Sequence, residues 1–459
     1  MKQLSTGQNK QGIKPIIEVL ANGLFVLLFI ALPTSKGLVS VGLTGLLILC
    51  LIQLFLKRKN TPTRLNWLLY SPWILLFLLI VSFFNSADKA TAWSVLYRQN
   101  TLLILPLALW IFRDLLKRRL SLYFHFFIAS ISFCSVLTLF FFFLPEDKTI
   151  SIVTQLSFLQ DYIVHEKQLA FGTYSPFLDR LHFSYLLGTA LFLQLYFSLK
   201  KDLFTLTQVI YGSLFFLNLS CFLILGGRGA QLGFLASLSI WIMVIYWKSL
   251  HQQIAQKFSR QLSISILGFG LMIGLLLIPY LLYQKVPAVQ DRYQQLKWEI
   301  GTYQDNTFTN YPYEHFTSLR RIMSWKYNWE MIQDRMILGK GIGDYQHQLK
   351  KLYARDEIKI PVNSHQQMLY FWATTGLPGF LTFLSILFAF LWKGFQQKSL
   401  LIKALMLSFW LFYFIVFLFD TPLLYQTGGI AFWTFFLLLL HPALHIQPFS
   451  ESLNPTIRR

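Results

Sequence analysis

Charge is scarce in this sequence. Only 13% of its 459 residues are Asp, Glu, Lys or Arg, while 55% are hydrophobic and 17% aromatic. A soluble globular domain carries about a quarter of its residues as charges. The length would otherwise allow roughly three soluble domains, but so few charges cannot cover that much surface in water, and a water-soluble enzyme is excluded. Cysteine is scarcer still. Cys50, Cys134 and Cys221 are the only three, each inside an apolar run, so no disulfide framework is expected. No Asp-x-Asp pair occurs anywhere, no internal repeat is visible, and residues 1–15 are polar and basic without a signal-peptide pattern. The lack of repeats argues against the two-halved transporter folds.

Long apolar runs are abundant, and mean hydropathy is +0.50. Runs of 18 or more apolar residues are long enough to cross a bilayer core of about 30 Å. The pattern predicts an all-α polytopic membrane protein with about twelve transmembrane helices, over 16–34, 37–56, 66–84, 91–112, 121–144, 180–199, 205–225, 229–248, 262–283, 366–392, 399–419 and 428–443. Three regions follow: helices 1–9 in residues 1–283, a large outer loop in 284–365, and helices 10–12 with a tail in 366–459.

The formal net charge is +20. Its cations cluster in alternate short loops, which is the signature of membrane topology and not of nucleic-acid binding. Lys57, Arg58, Lys59 and Arg64 form one cluster, Arg113, Lys117, Arg118 and Arg119 a second, and Lys393, Lys398 and Lys403 another. The intervening loops offer single cations such as Lys36, Lys89 and Lys148. Positive loops stay in the cytoplasm, which predicts both termini inside and 284–365 outside. Within that loop, Leu319, Ile322, Trp325, Trp329, Ile332 and Met336 recur at helical spacing. The spacing predicts an amphipathic helix lying on the outer membrane surface or capping the bundle.

Several outer-face cations are candidates for chemistry. Arg228 sits in Gly226-Gly227-Arg228-Gly229-Ala230-Gln231-Leu232-Gly233, a tight turn that opens a helix. It is either a snorkelling arginine or, since a helix N-terminus repels an unshared cation, part of an anion site. Arg320 and Arg321 open the amphipathic helix, as a solvated face or as anion ligands. Ser364 and Gln367 have capping-box spacing, which predicts His365 at the first helical position of the tenth span. There the positive helix end would keep the imidazole neutral and able to accept a proton; the alternative is a packed polar cap. Arg98 is expected about two turns inside the fourth span, where an arginine is a functional candidate by default unless it pairs with Asp88 or a helix carbonyl. Arg180 and His182 stand at the outer start of the sixth span. Together these residues suit a lipid-borne pyrophosphate with a hydroxyl nearby to deprotonate.

In this order and spacing the motifs resemble the O-antigen ligase and Wzy polymerase superfamily. The Arg228 segment is similar to the small–Arg–Gly–Ala–x–Leu–Gly signature. Arg321-Ile322-Met323-Ser324-Trp325 with Gly339-Lys340-Gly341-Ile342-Gly343 resembles the outer-loop pattern. His365 through Leu369, then Ala373 and Gly376-Leu377-Pro378-Gly379, resembles the His-x-x-x-Leu and Gly-Leu-x-Gly element. The chain departs from it at Gln366, where Asn is common, and at Leu181-His182-Phe183, where His-Pro is common. The resemblance implies a metal-independent inverting glycosyltransferase of the bacterial inner membrane with a periplasmic active site and no cofactor. The donor would be an undecaprenyl-pyrophosphate-linked glycan and the acceptor a lipid A–core hydroxyl. His365 would be the general base and Arg228 and Arg321 the pyrophosphate ligands, with Arg98, Arg180, His182 and Arg320 as further substrate contacts; membrane lipids surround the protein and nucleic acid plays no part. A polymerase extending the glycan on its carrier is the nearest alternative, and a lipid-linked glycan flippase a more distant one.

Overall fold

The structure is a computed structural model that describes residues 9–56, 67–143, 177–200, 205–225, 227–254, 287–305, 319–356, 364–441 and 444. Among these residues every regular element is helical: α1 (Asn9–Ala31), α2 (Lys36–Leu56), a 3-10 turn at Trp67–Tyr70, α3 (Ser71–Asn85), α4 (Lys89–Arg98), α5 (Thr101–Ile111), α6 (Arg113–Phe143), α7 (Arg180–Leu199), α8 (Thr205–Leu225), α9 (Arg228–Ile254), α10 (Pro287–Gln304), α11 (Leu319–Asp334), α12 (Tyr345–Arg355), α13 (Gln367–Phe395), α14 (Leu400–Phe419), a 3-10 turn at Pro422–Leu424, and α15 (Gln426–Leu440). Six helical stretches are long and apolar enough to cross a bilayer: Lys36–Leu56, Trp67–Asn85, Arg113–Phe143, Leu206–Leu225, Gln367–Phe395 and Leu400–Phe419. Among the described residues the regular elements are all helical, and the chain is a multi-pass membrane protein.

The expected spans at 16–34, 180–199, 229–248 and 428–443 fall on α1, α7, α9 and α15. The expected ninth span, 262–283, lies outside the described residues. The expected fourth span, 91–112, is corrected. Asp88 caps α4, its Oδ1 accepting the Thr91 N–H at 2.9 Å, and the helix stops at Arg98. A turn at Gln99-Asn100 then opens the separate apolar α5. Lys89-Ala90-Thr91-Ala92-Trp93-Ser94 is too polar to be a lipid-crossing turn, and Trp93 and Tyr97 are exposed on it, as suits an interfacial helix.

The centre of the bundle is α14, packed against α9, α13 and α7. Apolar side chains gain nothing by leaving lipid tails, so close approach decides packing in a membrane. Phe412 of α14 fills the space left by two glycines: a Cβ on Gly188 of α7 would lie 2.4 Å from its ring, and one on Gly233 of α9 would lie 2.9 Å from its carbonyl oxygen. α7 is buried from Phe183 to Leu193, and α15 from Thr427 to Leu440. A helix enclosed on all sides must be apolar or internally satisfied all round.

Helices α10, α11 and α12 sit at the end of the bundle where α3 and α14 finish and α7, α9, α13 and α15 begin. The sequence placed its apolar stripe of α11 on Leu319, Ile322, Trp325, Trp329, Ile332 and Met336. The structure instead buries Leu319, Met323, Tyr327, Met331 and Ile332 with Ser324 and Asn328, and leaves Ile322, Trp329 and Met336 exposed. The helix has two apolar faces, one for protein and one free for the bilayer interface, and periodicity alone does not rank them.

The glycines after α11 fasten this tier. α13 is broken at Gly376, with φ 72° and ψ −170°, and the segment from Met336 to Gly343 threads across the break. Lys340 N–H donates to Ala373 O at 2.7 Å, Gly341 N–H to Thr374 O at 3.1 Å, and Leu377 N–H to Met336 O at 2.9 Å. Ser82 Oγ of α3 donates to Thr374 O at 2.8 Å and accepts from Ile342 N–H at 3.1 Å; Ser86 Oγ accepts from Gly343 N–H at 3.0 Å. Asp344 closes the clasp by accepting the Ala87 and Asp88 amides at 2.7 and 2.8 Å. These amides serve a structural clasp and are spent on it.

A methyl on Gly376 would come within 1.9 Å of Ile337 O, at a φ and ψ that only glycine holds comfortably. Gly376→Ala is expected to destabilise the folded protein by at least about 3 kcal/mol, read as a lower thermal midpoint in detergent. Gly23→Ala, with nothing within 4 Å of the new methyl, serves as the control and should leave the midpoint unchanged.

Candidate active site

Asp179 starts α7 by accepting the Leu181 N–H at 2.9 Å, which sets Arg180 and His182 on the first turn. α9 starts at Arg228, whose side chain is exposed. Its first turn is wedged between two neighbours: a Cβ on Gly227 would meet Ser184 Oγ at 2.8 Å and one on Gly229 would meet Phe419 Cβ at 3.3 Å. Gln231 Nε2 reaches back across the turn to the Phe222 and Leu223 carbonyls at 3.3 and 2.9 Å, capping α8. Thus Arg228 opens a helix lodged between the start of α7 and the end of α14; Gly226 lies outside the described residues.

His365 stands at the same end, but not as the capping-box pattern implied. α13 begins at Gln367, and its N-cap Gln366 makes no side-chain cap. His365 adopts a left-handed backbone, φ 48°, a conformation uncommon outside glycine. Two donors from α11 hold it there: Ser324 Oγ binds Ser364 O at 2.6 Å and Trp325 Nε1 reaches His365 O at 3.4 Å. Ser364 Oγ donates to Gln366 O at 3.0 Å, and Gln367 Oε1 accepts the Leu423 N–H at 3.0 Å. A local carbonyl has taken one half of the capping box and a distant amide the other. Asn363 lies outside the described residues.

The helix that grips His365 also carries Arg320 and Arg321 at its start, which Glu299 anchors. Glu299 is fully buried on α10 and accepts the Leu319 N–H at 2.7 Å. Arg321 is partly buried, and its Nε has no hydrogen-bond partner among the described residues. Both guanidiniums act electrostatically on His365. Facing them is Asp420, at the end of α14: its Oδ1 lies 3.9 Å from His365 Nδ1 and accepts the Thr421 N–H at 2.8 Å, and its Oδ2 accepts the Tyr185 phenol O–H.

The ionisation of His365 follows from these neighbours. Burial pushes the imidazole down to about 4; Asp420 works upward against this, while Arg321 and Arg320 add to it. The imidazole is therefore neutral at physiological pH, as the sequence expected, but burial and two arginines replace the helix end as the cause. Nearby, burial works to raise the Asp179 carboxyl, yet the His182 ring and the Leu181 and His182 amides outweigh it and hold the group below its usual range. His182 is buried, with Nδ1 3.4 Å from Asp179 Oδ1, and its ring meets Tyr425 edge-on at 4.8 Å.

The structure thus gathers His365, Arg321, Arg320, His182 and the helix starts of Arg180 and Arg228 at one end. Arg98 closes α4 with an exposed side chain whose Nε donates to the Ser94 carbonyl at 3.3 Å, the helix-carbonyl pairing that the sequence left open. Sequence reasoning missed Asp420 and Tyr185. A lone carboxylate in Asp420-Thr421-Pro422, straight after a 20-residue apolar helix, was the available signal for the first. Buried polar atoms without hydrogen-bond partners among the described residues also occur here: Arg321 Nε, Gln366 Oε1, Gln367 Nε2 and Thr421 Oγ1. Buried polar groups are nearly always satisfied, so this set marks a place shaped for a polar ligand.

The neighbour charges predict opposite shifts. Arg321→Ala should raise the pH midpoint of His365 modification by diethyl pyrocarbonate, because a cation that disfavours imidazolium is gone; Asp420→Asn should lower it. Peptide mass spectrometry over a pH series reads both, and coincident curves for the two variants would contradict the assigned geometry.

A family model described as O-antigen ligase matches residues 213–384. That range includes Arg228, Arg320, Arg321, the glycine clasp and His365, and leaves out Tyr185 and Asp420. No curated protein matches the chain.

Proposed function

Because the chain belongs to the O-antigen ligase and Wzy polymerase superfamily, we propose that it is an inverting glycosyltransferase. It takes polysaccharide from undecaprenyl pyrophosphate and joins it to a lipid A–core hydroxyl at the periplasmic face of the inner membrane. The observation that carries this reading is a neutral imidazole, His365, set beside a partly buried guanidinium, Arg321, whose buried Nε has no partner among the described residues. A buried cation in that state is costly unless an anion completes it, and a diphosphate diester supplies that charge without needing a proton from the protein.

His365 Nδ1 is turned to Asp420, which leaves Nε2 to receive the proton. The acceptor O–H gives its proton to Nε2 as the oxygen bonds to the anomeric carbon. The bond from that carbon to the phosphate oxygen breaks, its electron pair stays on the oxygen, and undecaprenyl pyrophosphate departs. One displacement inverts the anomeric configuration. Negative charge grows on the leaving oxygen, so fixed guanidiniums at Arg321, Arg320 and Arg228 stabilise the transition state more than the ground state. The arginines take the place of a divalent metal. The sided arrangement proposed with this has both termini in the cytoplasm, residues 284–365 outside, and Arg180 and His182 lining the approach to the base.

The polymerase reading uses the same chemistry and differs only in its acceptor. Lipopolysaccharide band patterns from a deletion strain separate the two: a missing ligase leaves bare core, whereas a missing polymerase leaves core with one repeat. Transfer by purified protein without an energy source separates both from a flippase.

With lipid-linked donor and core acceptor, His365→Ala should lower kcat by about 10²–10⁴. Arg321→Ala should raise the barrier by about 2.7–4 kcal/mol, with the protein still folded. Activity of His365→Ala within a few-fold of the parent would falsify the base assignment. The acid limb of kcat/KM should fall well below the ordinary histidine range, because the depressed imidazole stays neutral as pH drops through 6. EDTA should leave the rate unchanged; loss restored by Mg²⁺ would remove the arginines from their assigned place.

A further inference from the structure

Tyr185 lies on α7, 235 residues before Asp420, yet its phenol oxygen is bonded to the Asp420 carboxylate. A phenol offers one proton, and toward a carboxylate it donates. Asp420 is thus held at both oxygens: Oδ2 by Tyr185, and Oδ1 by the Thr421 amide at 2.8 Å. The carboxylate is clamped in the one rotation that leaves Oδ1 facing His365 Nδ1 at 3.9 Å. That separation is a charge contact, too long for a hydrogen bond. Its strength depends on how much charge remains on the carboxylate and on where the carboxylate points. Tyr185 itself is buried, and its backbone carbonyl accepts Thr189 Oγ1 at 3.0 Å, so the clamp is mounted on a helix held fixed by packing.

We propose that Tyr185 is a positioning residue for the base: its O–H fixes Asp420 against His365 and draws off part of the carboxylate charge, setting the pH at which the imidazole becomes available. The proposal rests on the reading of His365 as general base. Among the described residues, the charged and titratable groups facing that imidazole are Asp420 from the end of α14 and Arg320 and Arg321 from α11, with Tyr185 of α7 behind Asp420. From α13 come only the neutral Gln366 and Gln367. The two arginines and Asp420 oppose each other, so a change in the carboxylate's effective charge moves the balance directly.

Sign follows from electrostatics. Removing the phenol O–H returns charge to the carboxylate, favours imidazolium, and demands a higher pH for a neutral base. A stronger donor at the same place does the reverse. The test measures kcat/KM against pH for the full-length protein in detergent with lipid-linked donor and core acceptor. Tyr185→Phe should move the acid limb up by about half a pH unit or more. Protein with 3-fluorotyrosine at position 185, which keeps the shape and strengthens the donor, should move it down and covers the case in which the phenylalanine variant does not fold. In an Asp420→Asn background, Tyr185→Phe should leave the limb where Asp420→Asn alone puts it.

A lower rate with an unmoved limb in both Tyr185 forms would overturn the proposal and leave Tyr185 as packing. So would a full extra shift in the Asp420→Asn background, since Tyr185 would then act by another route. His365→Ala separates the two readings: if it retains transfer, the base assignment fails; if it abolishes transfer while the Tyr185 limb stays fixed, only the clamp fails.

Discussion

A guanidinium held partly out of water, with its Nε unsatisfied and a neutral imidazole beside it, is the constraint around which this end of the protein is built. Among the described residues no carboxylate pairs with Arg321. Asp420 is taken up by Tyr185, Thr421 and the face of His365, and Asp179 by the first turn of α7 and the His182 ring. On the proposed reading the positive charge serves the diphosphate of the donor. The same charge, with Arg320 and burial, keeps His365 unprotonated. On the proposed reading one arrangement provides both an anion site and a proton acceptor, and an incoming diphosphate would loosen the restraint on the imidazole at the moment the acceptor needs it.

Position is enforced through backbone. Ser324 and Trp325 bond the carbonyls of Ser364 and His365, and they stand on the helix that carries the arginines. His365 and Arg321 are therefore tied to each other through α11. The segment after α11 is fastened in turn by the glycine thread over the Gly376 break and by Asp344 on the start of α4. The glycine-rich segment, which could be read as a phosphate cradle, spends its amides on this fastening.

The enclosed α7 and α15 show a further division of labour. Helices exposed to lipid can be uniformly apolar, whereas an enclosed helix can carry polar groups if each meets a partner. α7 places His182, Ser184, Tyr185 and Thr189 in the interior, and Tyr185 among them bonds Asp420. Its polar content also kept it from ranking among the most apolar helices, although it is among the most buried.

Composition and run length alone determined that this is a helical membrane protein, and charge placement grouped Arg180, Arg228, Arg321 and His365 at one end. These conclusions hold because the cost of charge in hydrocarbon acts on each segment separately. The break between Arg98 and Thr101, the buried face of α11, the left-handed turn at His365 and the pairing of Tyr185 with Asp420 were decided only by the tertiary structure. Each depends on a partner tens to hundreds of residues away, and a local pattern carries no record of which partner will claim a hydrogen bond or which apolar face will meet protein and which will meet lipid.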